Sequence, residues 1–321
     1  MRKIKEFIKN ISPLNNRNEM PVMLYLIKVI LIFLFVKFGS EVIGEGFAIG
    51  LHFAFGLNPL NGEMFDIQTI TLITYIGYGF MTGIIILYWK LFQKKTLAQL
   101  GFTKRAGSYL FGALSGVVLT AISVALVVLT GTIAYNGVFS SIDHVYILLM
   151  LGAFVCQGAF EEVLCRGVVL QLLKDKTPVP VAVGVSTALF IIPHISGMQG
   201  ASPAIVTFAI IDLILISLIF SVLTLRFNSI GAACGLHSVW NFILYNILGL
   251  NLSGNDTLTA AVFDFRSVGS NVMNGGVYGI EASAVTALVL AAALTFFCLV
   301  PINGKRAALA KNYRTDKSFN A

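Results

Sequence analysis

Charge is what this sequence has least of. Only 12% of its 321 residues are Asp, Glu, Lys or Arg, about half the share usual in soluble domains, while 57% are hydrophobic. Long polar segments are missing too. The longest, 251–281, is rich in Gly, Asn and Ser and reads as an external loop. These shortages exclude an ordinary soluble fold. Apolar runs take their place, at 21–46, 68–92, 108–132, 144–173, 179–195, 203–226, 229–250 and 282–302. Most of them can cross about 30 Å of hydrocarbon at 1.5 Å per helical residue. The expected fold is all-α: one integral membrane domain over 1–321 with about eight transmembrane helices and a cavity within the bilayer.

Cysteine is scarce. Cys156, Cys165, Cys234 and Cys298 all fall inside apolar runs, where thiols pack well and disulfides are not expected. The first run has no small-residue cleavage site and exceeds a signal-peptide core, so it reads as a retained span. Acidic residues are outnumbered, 15 against 22 Lys and Arg. The surplus follows alternate loops: Arg2, Lys3, Lys5, Lys9 and Arg17; Lys90, Lys94, Lys95, Lys104 and Arg105; Lys174 and Lys176; Arg226; then Lys305, Arg306, Lys311, Arg314 and Lys317. The intervening loops hold Arg266 alone. This pattern predicts both termini in the cytoplasm and makes the basic tail a topology signal, not a nucleic-acid patch.

Two familiar catalytic patterns are also lacking. No H-E-x-x-H is present, and Ser186, Ser196 and Ser238 lack the strand–turn–helix setting of a nucleophile elbow. No repeat with paired broken helices argues for a transporter. What is present is "FEEVLCRG", Phe160 to Gly167, with three charges inside an apolar run. Each must pair or face a wet cavity. Glu162 and Arg166 are i,i+4 with the acid first, the favourable order for a helical ion pair. Glu161 lies about 100° around the helix and has no evident partner there, so it reads as a spare carboxylate suited to acid–base work.

Two later stretches supply companions: "FIIPH", ending at His194, and "HSVWN", which puts His237 and Asn241 on one helix face. At 1.5 Å per residue, Glu161, His194, His237 and Asn241 lie about 12–22 Å from the cytoplasmic ends of their helices, so all four can meet. The fitting chemistry is hydrolysis. Glu161, helped by His194, deprotonates a water, while His237 and Asn241 donate to the oxyanion. A three-ligand metal site of Glu161, His194 and His237, with zinc as an example, fits the residue types as well. The metal-free reading is preferred because a metal would leave the base role to the paired Glu162. Pro193 should place His194 at a kink or helix end.

Glu161-Glu162-x-x-x-Arg166, Phe190-x-x-x-His194 and His237-x-x-x-Asn241, in that order, resemble the three signature motifs of the CAAX protease and bacteriocin-processing (CPBP, or Abi) family. "NSIGAACGLHSVWN", Asn228 to Asn241, is similar to the entry into its last motif. The resemblance spans about 144–250. It implies an eight-helix intramembrane endopeptidase, CAAX prenyl protease-like, with Glu161 as catalytic glutamate, His194 activating water and His237 with Asn241 on the oxyanion side. Glu162 and Arg166 take supporting roles. The family has been described both as a metalloprotease and as a glutamate protease, so the cofactor stays open. The implied partners are a membrane-associated protein or peptide and the lipid bilayer, and the expected location is a bacterial cell membrane. The alternative is a non-catalytic immunity or transport protein that binds through the same cavity.

Other polar residues carry plainer expectations. Lys37, Glu41 and Glu45 share a stripe of the first helix, read as an ion pair plus an outer Glu, or as the lining of a water or substrate path. Asp212 is expected to pair with another helix, with Lys37 as the candidate. Leu91–Arg105 reads as an amphipathic helix on the cytoplasmic surface.

Overall fold

The structure is a computed structural model that describes residues 2–255 and 260–300, the side chains of residues 2–5 apart. The basic tail from Lys305 to Lys317 lies outside the described residues, as do the side chains of Arg2, Lys3 and Lys5. In chain order the helices are α1 (Arg2–Ile11), α2 (Val22–Ala54), α3 (Ile67–Tyr88), α4 (Leu97–Leu100), α5 (Ala106–Leu129), α6 (His144–Glu162), α7 (Leu170–Lys174), α8 (Val179–Ile191), α9 (Pro203–Phe227), α10 (Gly231–Phe242) and α11 (Ala284–Leu299). Two short strands, β1 (Ile133–Val138) and β2 (Phe263–Ser267), pair antiparallel.

The chain is an all-α polytopic membrane protein. Six helices among the described residues are long and apolar enough to cross a membrane: Val22–Ala54, Ile67–Gln93, Ala106–Leu129, His144–Lys174, Val179–Met198 and Pro203–Phe227. The other two expected spans are shorter. The 12-residue α10 is prolonged by a π turn, Ile243–Ile247, and α11 has 16 residues. Capping places several ends: the Asp66 carboxylate accepts from the Gln68 and Thr69 amides, and Ser202 and Ser283 cap α9 and α11.

Cations gather at one end of the bundle and close it. Arg226 donates to the Cys298 and Val300 carbonyls at the end of α11, Arg105 to the Phe227 carbonyl ending α9, and Lys95 pairs with Asp175. Each cation sits where helix carbonyls or a carboxylate would otherwise be unpaired. Lys176 bonds the Asn18 carbonyl, and buried Lys28 holds the same N-terminal loop through Asn15 and the Arg17 carbonyl. The expected surface helix over 91–105 is interrupted. A π turn ends at Gln93, Lys94 turns left-handed at φ 54°, and Gly101 ends α4 at φ 102°.

A pair of small-residue motifs sets the position of α10. "GALSG", Gly112 to Gly116 on α5, faces "GAACG", Gly231 to Gly235 on α10. A Cβ on Gly112 would lie 1.9 Å from the Ala232 carbonyl oxygen, and one on Gly235 2.2 Å from that of Tyr109. The helices touch backbone to backbone, the contact that small residues permit between membrane helices. On its other side α10 meets α6, where a Cβ on Gly158 would come within 2.6 Å of Ser238 Oγ. Gly112→Val should therefore separate α5 from α10 and destabilise the protein by about 3 kcal/mol, the upper end for overpacking. A thermal melt in detergent reads the loss, and a wild-type midpoint would contradict this packing.

At the opposite end, 251–281 is not a plain loop. Among its described residues, Leu252 bridges Asn255, β2 pairs with β1, and two tight turns, Gly276–Tyr278 and Ile280–Ala282, lead into α11. The small sheet was not expected. Glu281 ties this cap to α10 by accepting from Trp240 Nε1 at 3.0 Å, and it also accepts from the Ser253 amide and hydroxyl.

Candidate active site

α6 delivers Glu161 and Glu162 where its winding changes, since Val163–Val169 is a π segment that continues into α7. π segments of this kind recur at functional sites because the extra residue re-aims side chains. Arg166 Nη1 donates to Glu162 Oε1 at 3.0 Å, both side chains fully buried, as the spacing predicted. Arg166 Nη2 reaches the Ser217 carbonyl and hydroxyl on α9, and the Ser217 hydroxyl passes a bond to Thr187 on α8. The guanidinium lies 4.6 Å from the centre of the Phe190 ring and 5.1 Å from that of Phe220. One buried cation thus ties α6, α8 and α9 together, with aromatic faces replacing water.

The same carboxylate positions a histidine. His237 Nδ1 lies 3.0 Å from Glu162 Oε1, and the imidazole stacks on Phe220 with centroids 5.0 Å apart. His194 is set by Pro193. α8 ends at Ile191 and tightens to a 3₁₀ segment, Ile192–Met198, in which His194 Nδ1 meets the Phe190 carbonyl at 2.8 Å. A carbonyl only accepts, so His194 Nδ1 carries the proton and Nε2 is left as an acceptor in the neutral ring. Both Nε2 atoms turn towards one oxygen, Glu161 Oε2, from 3.7 Å for His194 and 3.9 Å for His237.

Glu161 is not the spare group that its own helix implied. Gln157, one turn earlier, donates Nε2 to Glu161 Oε1 at 2.5 Å and accepts from Asn241 Nδ2 at 2.9 Å. Asn241 therefore joins the site through an amide relay, with one of its two N–H donors engaged. Gln157 was missed because an uncharged residue in an apolar run carries little signal; its i−4 spacing from Glu161 was the clue. Gln157→Leu should lower kcat about tenfold with KM near wild type, since one charge-assisted hydrogen bond orients the carboxylate. Steady-state kinetics would read this, and an unchanged kcat would remove Gln157 from the site.

Glu161, His194, His237 and Asn241 all line one cavity of about 240 Å³, together with Gln157, Tyr75 and Tyr78. A second cavity of about 200 Å³ shares Glu161, His194 and Tyr78 and opens towards Lys37 and Glu41 on α2. Lys37 pairs with Glu41 at 2.5 Å and not with Asp212, which lines the first cavity. The i,i+4 neighbour on its own helix takes the ammonium in place of the expected carboxylate on another helix. Ser186, Ser196 and Ser238 each donate to a backbone carbonyl. For a metal, Glu161 Oε2 and the two Nε2 atoms are suitable donors, but tetrahedral zinc would hold them about 3.3 Å apart. Their spacing is wider. Among the described residues no group of three His, Cys, Asp or Glu is arranged to hold a metal ion.

Residues 143–243 match the family model described as type II CAAX prenyl endopeptidase Rce1-like. This stretch is similar to the CAAX protease and bacteriocin-processing family. No curated protein and no solved structure is a match to the chain. The CPBP match starts just before α6 and ends just after α10, so it takes in all three charged motifs and the helices that carry them. It supports an endopeptidase of the CAAX-protease kind.

Proposed function

We propose that the protein is an intramembrane endopeptidase that cleaves a peptide bond with a water activated by Glu161. The observation that carries the reading is the convergence of Glu161 Oε2 with the Nε2 atoms of His194 and His237 inside a cavity. An attacking water needs acceptors for both hydrogens so that a lone pair points at the carbonyl. Glu161 Oε2 and His194 Nε2 are such a pair.

Glu161 takes one proton as the water oxygen bonds to the carbonyl carbon, and the carbonyl electron pair moves onto oxygen. His237 in its imidazolium form donates from Nε2 to that oxyanion, and the second N–H of Asn241 reaches towards the same region. Collapse restores the carbonyl, breaks the C–N bond and returns the proton from Glu161 to the leaving amine. Glu162 orients His237 from Nδ1, and Arg166 neutralises Glu162. No step is routed through a metal. The basic end of the bundle is proposed to face the cytoplasm, and the substrate to be a membrane-associated protein or peptide.

The test is cleavage of a membrane-peptide library by the purified protein in detergent, read by mass spectrometry with and without a chelator. Cleavage that survives chelation is expected. Cleavage abolished by chelator and restored by zinc would overturn the metal-free mechanism, and no cleavage of library or native membrane peptides would favour a binding protein.

A further inference from the structure

The cavity that holds Glu161 is also lined by two further carboxylates, Asp212 on α9 and Glu281 in the cap that leads into α11. The two carboxylates differ in kind. Glu281 is anchored, with Trp240 and Ser253 donating to it, and forms a fixed negative charge. Asp212 is 2% exposed, and neither of its oxygens has a hydrogen-bond partner. The Ser283 amide acts on Asp212 from nearby, while its hydrogen bond goes to the Ile280 carbonyl at 3.2 Å. Lys37, the cation expected to neutralise Asp212, is held by Glu41. Among the described residues no Lys or Arg lines this cavity.

A buried carboxylate that the protein leaves unpaired, beside a second that it fixes, makes this part of the cavity attractive to a cation. We propose that Asp212, backed by Glu281, recognises a Lys or Arg side chain of the peptide substrate. The peptide part of this inference rests on the protease reading above. Asp212 and Glu281 line the same cavity as Glu161, so the cation is held within the space that takes the scissile bond. Trp240, whose indole donates to Glu281, walls the same part of the cavity. It can cover the aliphatic stem of a Lys or the face of a guanidinium.

Binding can be read without turnover. Full-length Glu161→Gln protein in detergent is titrated with short Leu/Ala peptides carrying a single Lys, scanned through each position, and with matched norleucine peptides. At one position the Lys peptide should bind about tenfold tighter or more. That preference should vanish with Asp212→Asn and persist with Asp212→Glu. No preference at any position overturns the proposal whether or not the Asn variant folds. A preference that survives Asp212→Asn overturns it too, because the cation is then recognised elsewhere. Failure of the wild type to cleave peptides would count against the protease reading and leave this titration interpretable.

Discussion

Arg166→Met is expected to destabilise the protein by about 3–5 kcal/mol, the usual effect of removing one partner from a buried ion pair. The side chain is fully buried and donates to Glu162 and twice to Ser217. Without it Glu162 keeps only His237, and the tie between α6, α8 and α9 is lost. Methionine fills much of the space between the Phe190 and Phe220 rings, so the lost charge, more than a cavity, dominates. Lysine should rescue little, because one ammonium cannot span Glu162 and both Ser217 oxygens as a planar guanidinium does. Glu162→Gln combined with Arg166→Met should recover part of the stability by removing the uncompensated charge. Melting midpoints in detergent for the three variants decide this, and a single Arg166→Met variant as stable as wild type would contradict it.

Glu161→Gln should behave in the opposite way: it should fold normally and lose activity. Its surroundings ask little of the charge for stability, since Oε1 accepts from Gln157 and an amide oxygen does the same. The reaction asks much more, because an amide cannot take the proton of the attacking water. General-base catalysis contributes about 10²–10⁴-fold, and kcat/KM should fall by that amount. The two substitutions are expected to separate a charge that holds helices together from one proposed to take the proton of the attacking water.

Much of the site was legible from charge scarcity. In an apolar run each ionisable residue stands out, and the i,i+4 order of Glu162 and Arg166 was enough to pair them. Pro193 likewise announced the end of α8. Relations between helices were harder to read. The Gln157 relay, the Phe190 and Phe220 rings around Arg166, and the Trp240 bond to Glu281 depend on which helix faces meet, and spacing along one helix does not reveal that. The two G-x-x-x-G segments were visible as letters, but only packing makes them partners. Leu91–Arg105 had a helical charge pattern, yet the left-handed turns at Lys94 and Gly101 break it. The outer cap was hidden because its strands are short and its turns are held by side chains far apart in sequence.

The most direct test of the central claim is the cleavage rate of Glu161→Gln beside wild type, on one peptide, with both proteins matched by thermal melt. A loss of about 10²-fold or more at an unchanged melting midpoint is the predicted result. Cleavage by the Gln protein within about tenfold of wild type would contradict it and move the base to another residue.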